Sequence, residues 1–155
     1  MPETFSSRYA TLIAAGKIEA DPGQAVLARR LAALEERLEE RRLARKSSSL
    51  GWLFAKKADV NRIKGLYIYG EVGRGKTMLM DLFFDASRVE RKRRAHFHEF
   101  MADVHERVHA YRQEIKNGSL SEQDPIQRAA IAIADQTRLL CFDEFHVTDI
   151  ADAMI

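Results

Sequence analysis

Residues 70–77 constrain the fold of this 155-residue chain more than any other feature, because they read G-x-x-x-x-G-K-T. In this P-loop pattern, backbone N–H groups turn inward around phosphate oxygens, and glycines permit the turns and the close approach. The pattern indicates a phosphate-binding loop when it stands between a strand and a helix. Residues 66–69 predict the strand, and a helix with an apolar face against a sheet is predicted from Met78, Leu79, Leu82 and Phe83. We therefore expect an α/β P-loop fold, a parallel sheet flanked by helices.

The loop residues expected to bind the phosphates of ATP are Gly70, Glu71, Val72, Gly73, Arg74, Gly75, Lys76 and Thr77. Lys76 supplies a positive charge for the β and γ oxygens, so it is also expected to act in catalysis. The hydroxyl of Thr77 is the expected Mg²⁺ ligand of the loop. The helix that begins here directs the positive end of its dipole at the same phosphates.

A second motif lies at residues 139–144, where four apolar residues precede Asp143 and Glu144. This is the Walker B pattern of a buried strand that ends in acids. Asp143 is expected to hold Mg²⁺, directly or through water, and Glu144 to orient and deprotonate the attacking water. Two acids in tandem favour a water-activating ATPase over a kinase. Cys141, inside the strand, is interpreted as a small core residue.

The N-terminal third is predicted to contain one long helix over residues 21–46, because Asp21 and Pro22 form a cap followed by proline at the first helical position. Its apolar face consists of Leu27, Leu31, Leu34 and Leu38. The next position of that face is Arg41, which favours a helix packed on its own domain over a coiled coil. Residues 47–49 predict a loop, and Trp52 and Phe54 are expected to anchor it to the core.

Between the two motifs, residues 88–94 carry five basic side chains. A solvated loop is the simpler interpretation, and a patch that faces phosphate or lipid is the alternative. The alternation of residues 95–100 predicts a strand. The helix expected after it has apolar residues at spacings of three and four, which are Met101, Val104, Val108, Tyr111 and Ile115. Asp124 and Pro125 predict another helix, through about residue 135.

Four histidines raise the question of a separate metal site. His96 and His98 would share a strand face, and His105 and His109 are one helical turn apart. Neither a cysteine nor a carboxylate completes an obvious tetrahedral set, and the P-loop already accounts for the metal requirement. We therefore expect no further metal site.

Composition limits the classes of protein to which the chain can belong. The chain is 46% hydrophobic and 31% charged, which indicates a globular protein of one domain and little more. It has no apolar run of about 18 residues, so no transmembrane segment is expected. Its single cysteine and the absence of a signal-like N-terminus favour the cytoplasm. The net charge of +2 is too small to indicate nucleic acid by itself.

Together these blocks resemble the ZapE-like, or lactation-elevated-like, AAA+ ATPases, which are bacterial cell-division factors and mitochondrial proteins. The resemblance is carried by Asp21 and Pro22 with Gln24 and by residues 64–78, 96–101, 141–145 and 147–154. His146 departs from the glutamine or aromatic residue more usual in the family, with little expected consequence. The resemblance implies a ring-forming, ATP-driven protein remodeller with protein partners, and cell division is one expected setting.

The resemblance also implies how the chain is organised. Residues 1–50 would form an N-terminal helical segment and linker, and residues 51–155 the N-terminal part of an AAA+ ATPase domain. Family members continue with further strands, a polar sensor, an arginine finger and a helical lid. Their strand order resembles 5-1-4-3-2, so a fourth strand would separate the P-loop strand from the Walker B strand. We therefore expect an incomplete sheet at the C-terminus and a chain that binds ATP more readily than it hydrolyses ATP.

Two other functions stay open at this point. One is a nucleic-acid-linked ATPase of the helicase-loader type that uses residues 88–94, although nucleic acid is the less expected partner. The other is a truncated, non-catalytic module whose N-terminal helix recruits a partner. Gln24 is a candidate contact for the adenine base, with a solvent-facing polar residue as the alternative.

Overall fold

The structure is a computed structural model that describes residues 3–47, 63–119, 124–147 and 149–155. Its chain divides into two compact units, Met1–Val89 and Glu90–Ile155. The loop predicted at residues 47–49 is wrong at Ser47, which is the last residue of a helix. Residues 48 and 49, the predicted domain boundary near residue 50, and Trp52 and Phe54 lie outside the described residues. None of the helices in the described ranges combines the length and apolar character needed to cross a membrane.

In its described residues, the first unit contains three helices, α1 (Phe5–Ala14), α2 (Pro22–Ser47) and α3 (Lys76–Ala86). The predicted start of α2 is confirmed, because Asp21 Oδ1 accepts a hydrogen bond from the backbone N–H of Gln24 at 2.8 Å. Helix α1 was not predicted. Its cap is Thr4, whose hydroxyl accepts from the N–H of Ser7 at 3.2 Å, without the proline that marks α2.

The core of the first unit joins all three helices. Phe5 of α1 is fully buried and meets Phe83 of α3 edge to face, with ring centroids 6.2 Å apart. Leu31 is the buried member of the leucine face of α2. The carboxylate of Glu35 accepts from the N–H of Phe5 at 3.1 Å, so α2 also holds the start of α1. The apolar face of α3 thus packs on α1, where the sequence predicted a sheet.

Residues 66–69 do not form the predicted strand. The segment from 63 to 71 has no regular secondary structure, and Tyr67 and Tyr69 are 71% and 84% exposed. Its aromatic and β-branched residues are typical of strands. A strand also needs a neighbour that pairs with its backbone groups, and no strand among the described residues does so. The prediction was wrong because composition cannot supply that neighbour.

The second unit contains β1 (Lys92–His96), α4 (Phe97–Lys116), α5 (Pro125–Gln136), β2 (Leu139–Asp143) and α6 (Ile150–Ala153). Strands β1 and β2 pair in parallel, from Lys92 opposite Leu139 to His96 opposite Asp143. The strand predicted before Asp143 is therefore confirmed, as is the helix after Asp124, whose Oδ1 accepts from the N–H of Ile126 at 2.9 Å. Helices α4 and α5 pack through Val104, Val108, Ala129 and Ile133.

The strand predicted over residues 95–100 is wrong in its position. Strand β1 ends at His96, whose N–H donates to Glu99 Oε2 at 3.4 Å, and α4 begins at the next residue. Phe97, Met101 and Val104 are buried at spacings of four and three, which is the helical period. The predicted loop at 88–94 is also partly wrong, because its last three residues belong to β1.

Asp103 of α4 joins its helix to β1. Its Oδ1 accepts from Arg107 Nε at 2.7 Å, and its Oδ2 accepts from Arg93 Nη1 at 2.5 Å. The hydrogen bonds from Arg107 and then Arg93 lower the pKa of Asp103 from its ordinary value. The charged carboxylate is therefore the form that stabilises this unit.

Replacing Asp103 by asparagine is expected to lower the free energy of unfolding at pH 7 by about 1–2 kcal/mol, since two charge-assisted hydrogen bonds weaken. A pKa lowered by folding gives stability above the ordinary pKa of aspartate, and this stability is lost as pH falls through the folded pKa. In urea unfolding, the difference in the free energy of unfolding between the wild type and Asp103→Asn should therefore be smaller in acid than at pH 7. Asp135→Asn, at an exposed position of α5, is the matched control. An equal difference at both pH values would contradict the assignment.

Candidate nucleotide-binding site

The glycines of the P-loop give it a conformation that other residues rarely adopt. Gly73 has a φ of 80° and Gly75 a φ of 75°, both in the left-handed region. Gly75 is the N-cap of α3, so the helix begins at Lys76. The expected order of glycine-rich turn and helix is therefore present.

Lys76 closes the loop on itself. Its Nζ donates to the carbonyl oxygens of Gly70 at 3.0 Å and Glu71 at 2.7 Å. An ammonium group has three donors, and these two bonds use two of them. The charge of Lys76 therefore lies at the start of the loop, next to Gly70 and Glu71. Phosphate oxygens would compete with the two carbonyls or add to them.

The N-terminal turn of α2 contacts the loop. Gln24 Nε2 donates to the carbonyl oxygen of Arg74 at 3.3 Å, and Arg74 Nη1 lies 3.6 Å from Asp21 Oδ2. A Cβ atom on Gly75 would lie only 2.9 Å from Gln24 Nε2. Glycine at position 75 therefore serves the close approach of a helix as well as the turn. Sequence analysis singled out both segments and did not predict that they touch.

A cavity of about 630 Å³ opens beside the loop in the first unit. One wall is the first turns of α2, within residues 21–30, and the other is residues 67–71 with Arg74 and Lys76. This volume is in the range of small-molecule sites, which is about 300–1,000 Å³. Glu71 and Val72 stand at the exposed tip of the loop, and Thr77 follows Lys76 in the first turn of α3.

The acidic pair of the second unit lies at the end of β2. Asp143 Oδ2 is 3.3 Å from Arg94 Nη2 of β1, and Asp143 Oδ1 accepts from the N–H of Glu144 at 3.0 Å. Parallel pairing brings His96, the last residue of β1, opposite Asp143. Arg94 is a neighbour that the sequence analysis missed. The basic run at 88–94 was the signal that could have indicated it.

Glu144 has an unusual backbone for its residue type. Its φ is 51°, the only positive φ of a non-glycine residue in the described part of the chain. Its side chain is 68% exposed, and its Oε2 lies 3.9 Å from His96 Nδ1. Strained backbone of this kind is concentrated at functional sites. The left-handed turn presents the carboxylate to solvent at the end of the strand.

The predicted P-loop and the predicted acidic pair lie in different units of the structure. The histidines also differ from the sequence expectation, because His98 belongs to α4 and not to a strand shared with His96. His105 Nε2 lies 2.7 Å from Asp152 Oδ1. Within the described ranges, no three His, Cys, Asp or Glu side chains form a group suited to a metal ion.

Comparison with known proteins identifies the family. A family model described as AFG1-like ATPase matches residues 3–155. The chain belongs to the AFG1-like ATPase family. Membership agrees with the resemblance inferred from the motifs, and it accounts for a P-loop and a small parallel sheet in one chain.

Proteins with similar sequences come from a fish and a bacterium. "Lactation elevated protein 1 homolog B" of Danio rerio is 54% identical over 95 residues, which cover 59% of this chain and 19% of that protein. "Cell division protein ZapE" of Escherichia coli K12 is 44% identical over 108 residues, which cover 68% of this chain and 27% of that protein. The chain thus matches about a quarter or less of these relatives. No solved structure gives a significant match.

Proposed function

We propose that this AFG1-like chain binds ATP with Mg²⁺ at the P-loop and forms part of an AAA+ ATPase. The observation that carries the proposal is the arrangement at the start of α3. Gly75 caps the helix in the left-handed conformation, Lys76 Nζ donates to the loop carbonyls, and Lys76 also lines a cavity of about 630 Å³. Backbone N–H groups at a helix N-terminus and a nearby ammonium are the usual partners of phosphate.

The donor set fits a magnesium nucleotide. Residues 70–77 would hold the phosphates, with Thr77 and Asp143 as the oxygen ligands of the metal, and oxygen is the ligand that Mg²⁺ prefers. Mg²⁺ supplies charge neutralisation at the β and γ oxygens when bound. Asp143 is fixed by Arg94 at 3.3 Å and by the N–H of Glu144, so its carboxylate is oriented before any ligand arrives.

Glu144 is proposed as the general base for hydrolysis. Its carboxylate is exposed at the end of β2 and lies 3.9 Å from His96, so it can accept a proton from a water molecule. Asp143 and Glu144 then have separate roles, one toward the metal and one toward water.

The wider role is proposed from the family. A relative is named a cell division protein, so a role in cell division is part of the proposal. ATP-driven remodelling of protein partners in a cytoplasmic, ring-forming assembly is proposed from the resemblance to AAA+ ATPases alone. The resemblance to AAA+ ATPases also implies sensors and an arginine finger, which none of the motifs described above supplies. An arginine finger contributes about 10³–10⁵ in rate in related NTPases, so the chain alone is expected to bind ATP and to hydrolyse it slowly.

A thermal melt with and without Mg²⁺-ATP tests the proposal. A ligand at 100 times its dissociation constant stabilises the folded state by about 2.7 kcal/mol, which corresponds to a rise in midpoint of about 5–10 °C for a chain of this size. Mg²⁺ alone is the control. A cooperative transition that does not move with saturating Mg²⁺-ATP would contradict the proposal.

The nucleic-acid alternative is weakened by the contacts of the basic run. Arg93 pairs with Asp103 and Arg94 with Asp143. Arg88 lies 3.6 Å from Glu39, and Arg91 donates to the carbonyl oxygen of Asp135. Three of these four arginines are thus paired with carboxylates, and charges paired inside the chain attract phosphate backbones less. The third alternative, a non-catalytic module, would be supported by nucleotide-independent capture of a partner that Lys76→Ala leaves unchanged.

A further inference from the structure

Aromatic rings flank the acidic pair at the end of β2. The ring of Phe97, the first residue of α4, lies 5.9 Å from the ring of Phe142 and 4.3 Å from the ring of Phe145, between centroids. Phe97 is buried, whereas Phe145 is 47% exposed. One ring of α4 therefore contacts both the residue before the acidic pair and the residue after it.

A chain that stayed extended after β2 would not bring both rings to Phe97. Phe142 and Phe145 are three positions apart, and side chains of an extended chain alternate between its two faces. The two rings would then lie on opposite faces. The left-handed φ of 51° at Glu144 interrupts this alternation, so the shared contact with Phe97 and the turn at Glu144 belong together.

The left-handed turn is unfavourable for a glutamate on its own, because its Cβ approaches the backbone too closely. Such a conformation persists where the surroundings hold it. The N–H of Glu144 donates to Asp143 Oδ1 at 3.0 Å, a bond between neighbours in the chain. The ring of Phe145 instead ties the residue after Glu144 to another element, α4, through Phe97.

We propose that Phe145 is a positioning residue for ATP hydrolysis, whose ring contact with Phe97 keeps Glu144 in the left-handed turn. This inference rests on the proposed role of Glu144 as the general base. A base acts only within hydrogen-bond reach of the water that it deprotonates, about 2.6–3.2 Å. A carboxylate that leaves the turn is misplaced for part of the time, so the rate falls while nucleotide binding does not.

Phe145→Ala is expected to lower kcat about 10-fold, which is the upper part of the range that an aromatic pair contributes. The KM for Mg²⁺-ATP and its dissociation constant should stay within about twofold of the wild type, because the lost contact acts on the chemical step. Phe145→Tyr keeps the ring and should restore most of the rate. Steady-state hydrolysis and titration with Mg²⁺-ATP measure both quantities in the longest form of the protein that turns over ATP.

A double-mutant cycle with Glu144→Gln separates positioning from a general structural effect. Phe145→Ala added to Glu144→Gln should leave the residual rate within about twofold, since the ring acts through the carboxylate that is already gone. Tyr111→Ala is the matched control, because it removes another ring of the same unit, one that Arg128 contacts at 5.4 Å. It should lower the melting midpoint and keep kcat. Phe145→Leu takes the place of Phe145→Ala if the alanine variant does not fold.

The outcomes distinguish this inference from the proposed function. Wild-type kcat in Phe145→Ala, with turnover lost in Glu144→Gln, would overturn the positioning role and leave the general base in place. A fall in rate as large in Phe145→Tyr as in Phe145→Ala, or an undiminished fall when Phe145→Ala is added to Glu144→Gln, would also overturn it. Normal turnover in Glu144→Gln would overturn the base and the positioning role together.

Discussion

Replacing Lys76 by alanine is expected to weaken Mg²⁺-ATP binding about 30- to 150-fold, because charge-assisted hydrogen bonds worth about 2–3 kcal/mol are lost. The ammonium group lies on the carbonyl oxygens of Gly70 and Glu71, beside the cavity. Isothermal titration with Mg²⁺-ATP measures the loss, and the nucleotide-dependent rise in melting midpoint should nearly vanish.

The two loop hydrogen bonds of Lys76 require a control, since the variant also loses them. Lys64→Ala removes an exposed lysine shortly before the loop and should bind ATP like the wild type. Melting without nucleotide reports the effect on the loop alone. Full ATP affinity in Lys76→Ala would contradict the phosphate role, whereas a lower midpoint with normal affinity would make Lys76 a structural tie only.

Replacing Glu144 by glutamine is expected to lower the rate of ATP hydrolysis about 10²- to 10⁴-fold, the usual contribution of a general base. Binding should change little, because the side chain is 68% exposed and its Oε2 lies 3.9 Å from His96 Nδ1, too far for a hydrogen bond. The rate is best measured in the longest form of the protein that turns over ATP, alongside ATP binding to the same variant.

Glu106→Gln, at an exposed position of α4, is the matched control for Glu144 and should hydrolyse ATP normally. A Glu144→Gln protein that retains both binding and turnover would remove Glu144 from the mechanism. Loss of binding together with turnover would instead place Glu144 in nucleotide binding.

The sequence predicted those parts of the fold that depend on local signals. Asp21 with Pro22 and Asp124 with Pro125 marked two helix starts, and both caps accept hydrogen bonds in the structure. The apolar run before Asp143 predicted β2 for the same reason, because four buried-type residues in a row suit a strand of a parallel sheet. Each of these signals lies within a few residues of the element it predicts.

The errors came from interactions distant in sequence. Residues 66–69 have strand-like composition and belong to no strand in the described part of the chain, whereas β1 includes three consecutive basic residues that composition would exclude. The strand accommodates those residues because Arg93 forms an ion pair with Asp103 of α4, and Arg94 forms one with Asp143 of β2. Helix α1 was missed because what stabilises it, the contact of Phe5 with Phe83, lies about 80 residues away along the chain.

In the candidate site, too, local motifs were predicted from the sequence and contacts between distant residues were not. The phosphate loop and the acidic pair were read from contiguous motifs, and their residues remain predictions for ligand binding. The contact of Gln24 with Arg74, 50 residues apart, could not be read from either motif. Spacing within a motif reports local geometry, and only the folded chain shows which motifs meet.

Helix α2 contacts the chain on both sides of α3, the helix that follows the P-loop. Asp21 and Gln24 contact Arg74 just before α3 begins, and Glu39 pairs with Arg88 just after α3 ends. Two helices joined at two separated points are expected to open and close together as one cooperative unit. In native-state hydrogen exchange, bound nucleotide should therefore slow the amides of both helices equally, including those of α2 far from the phosphates.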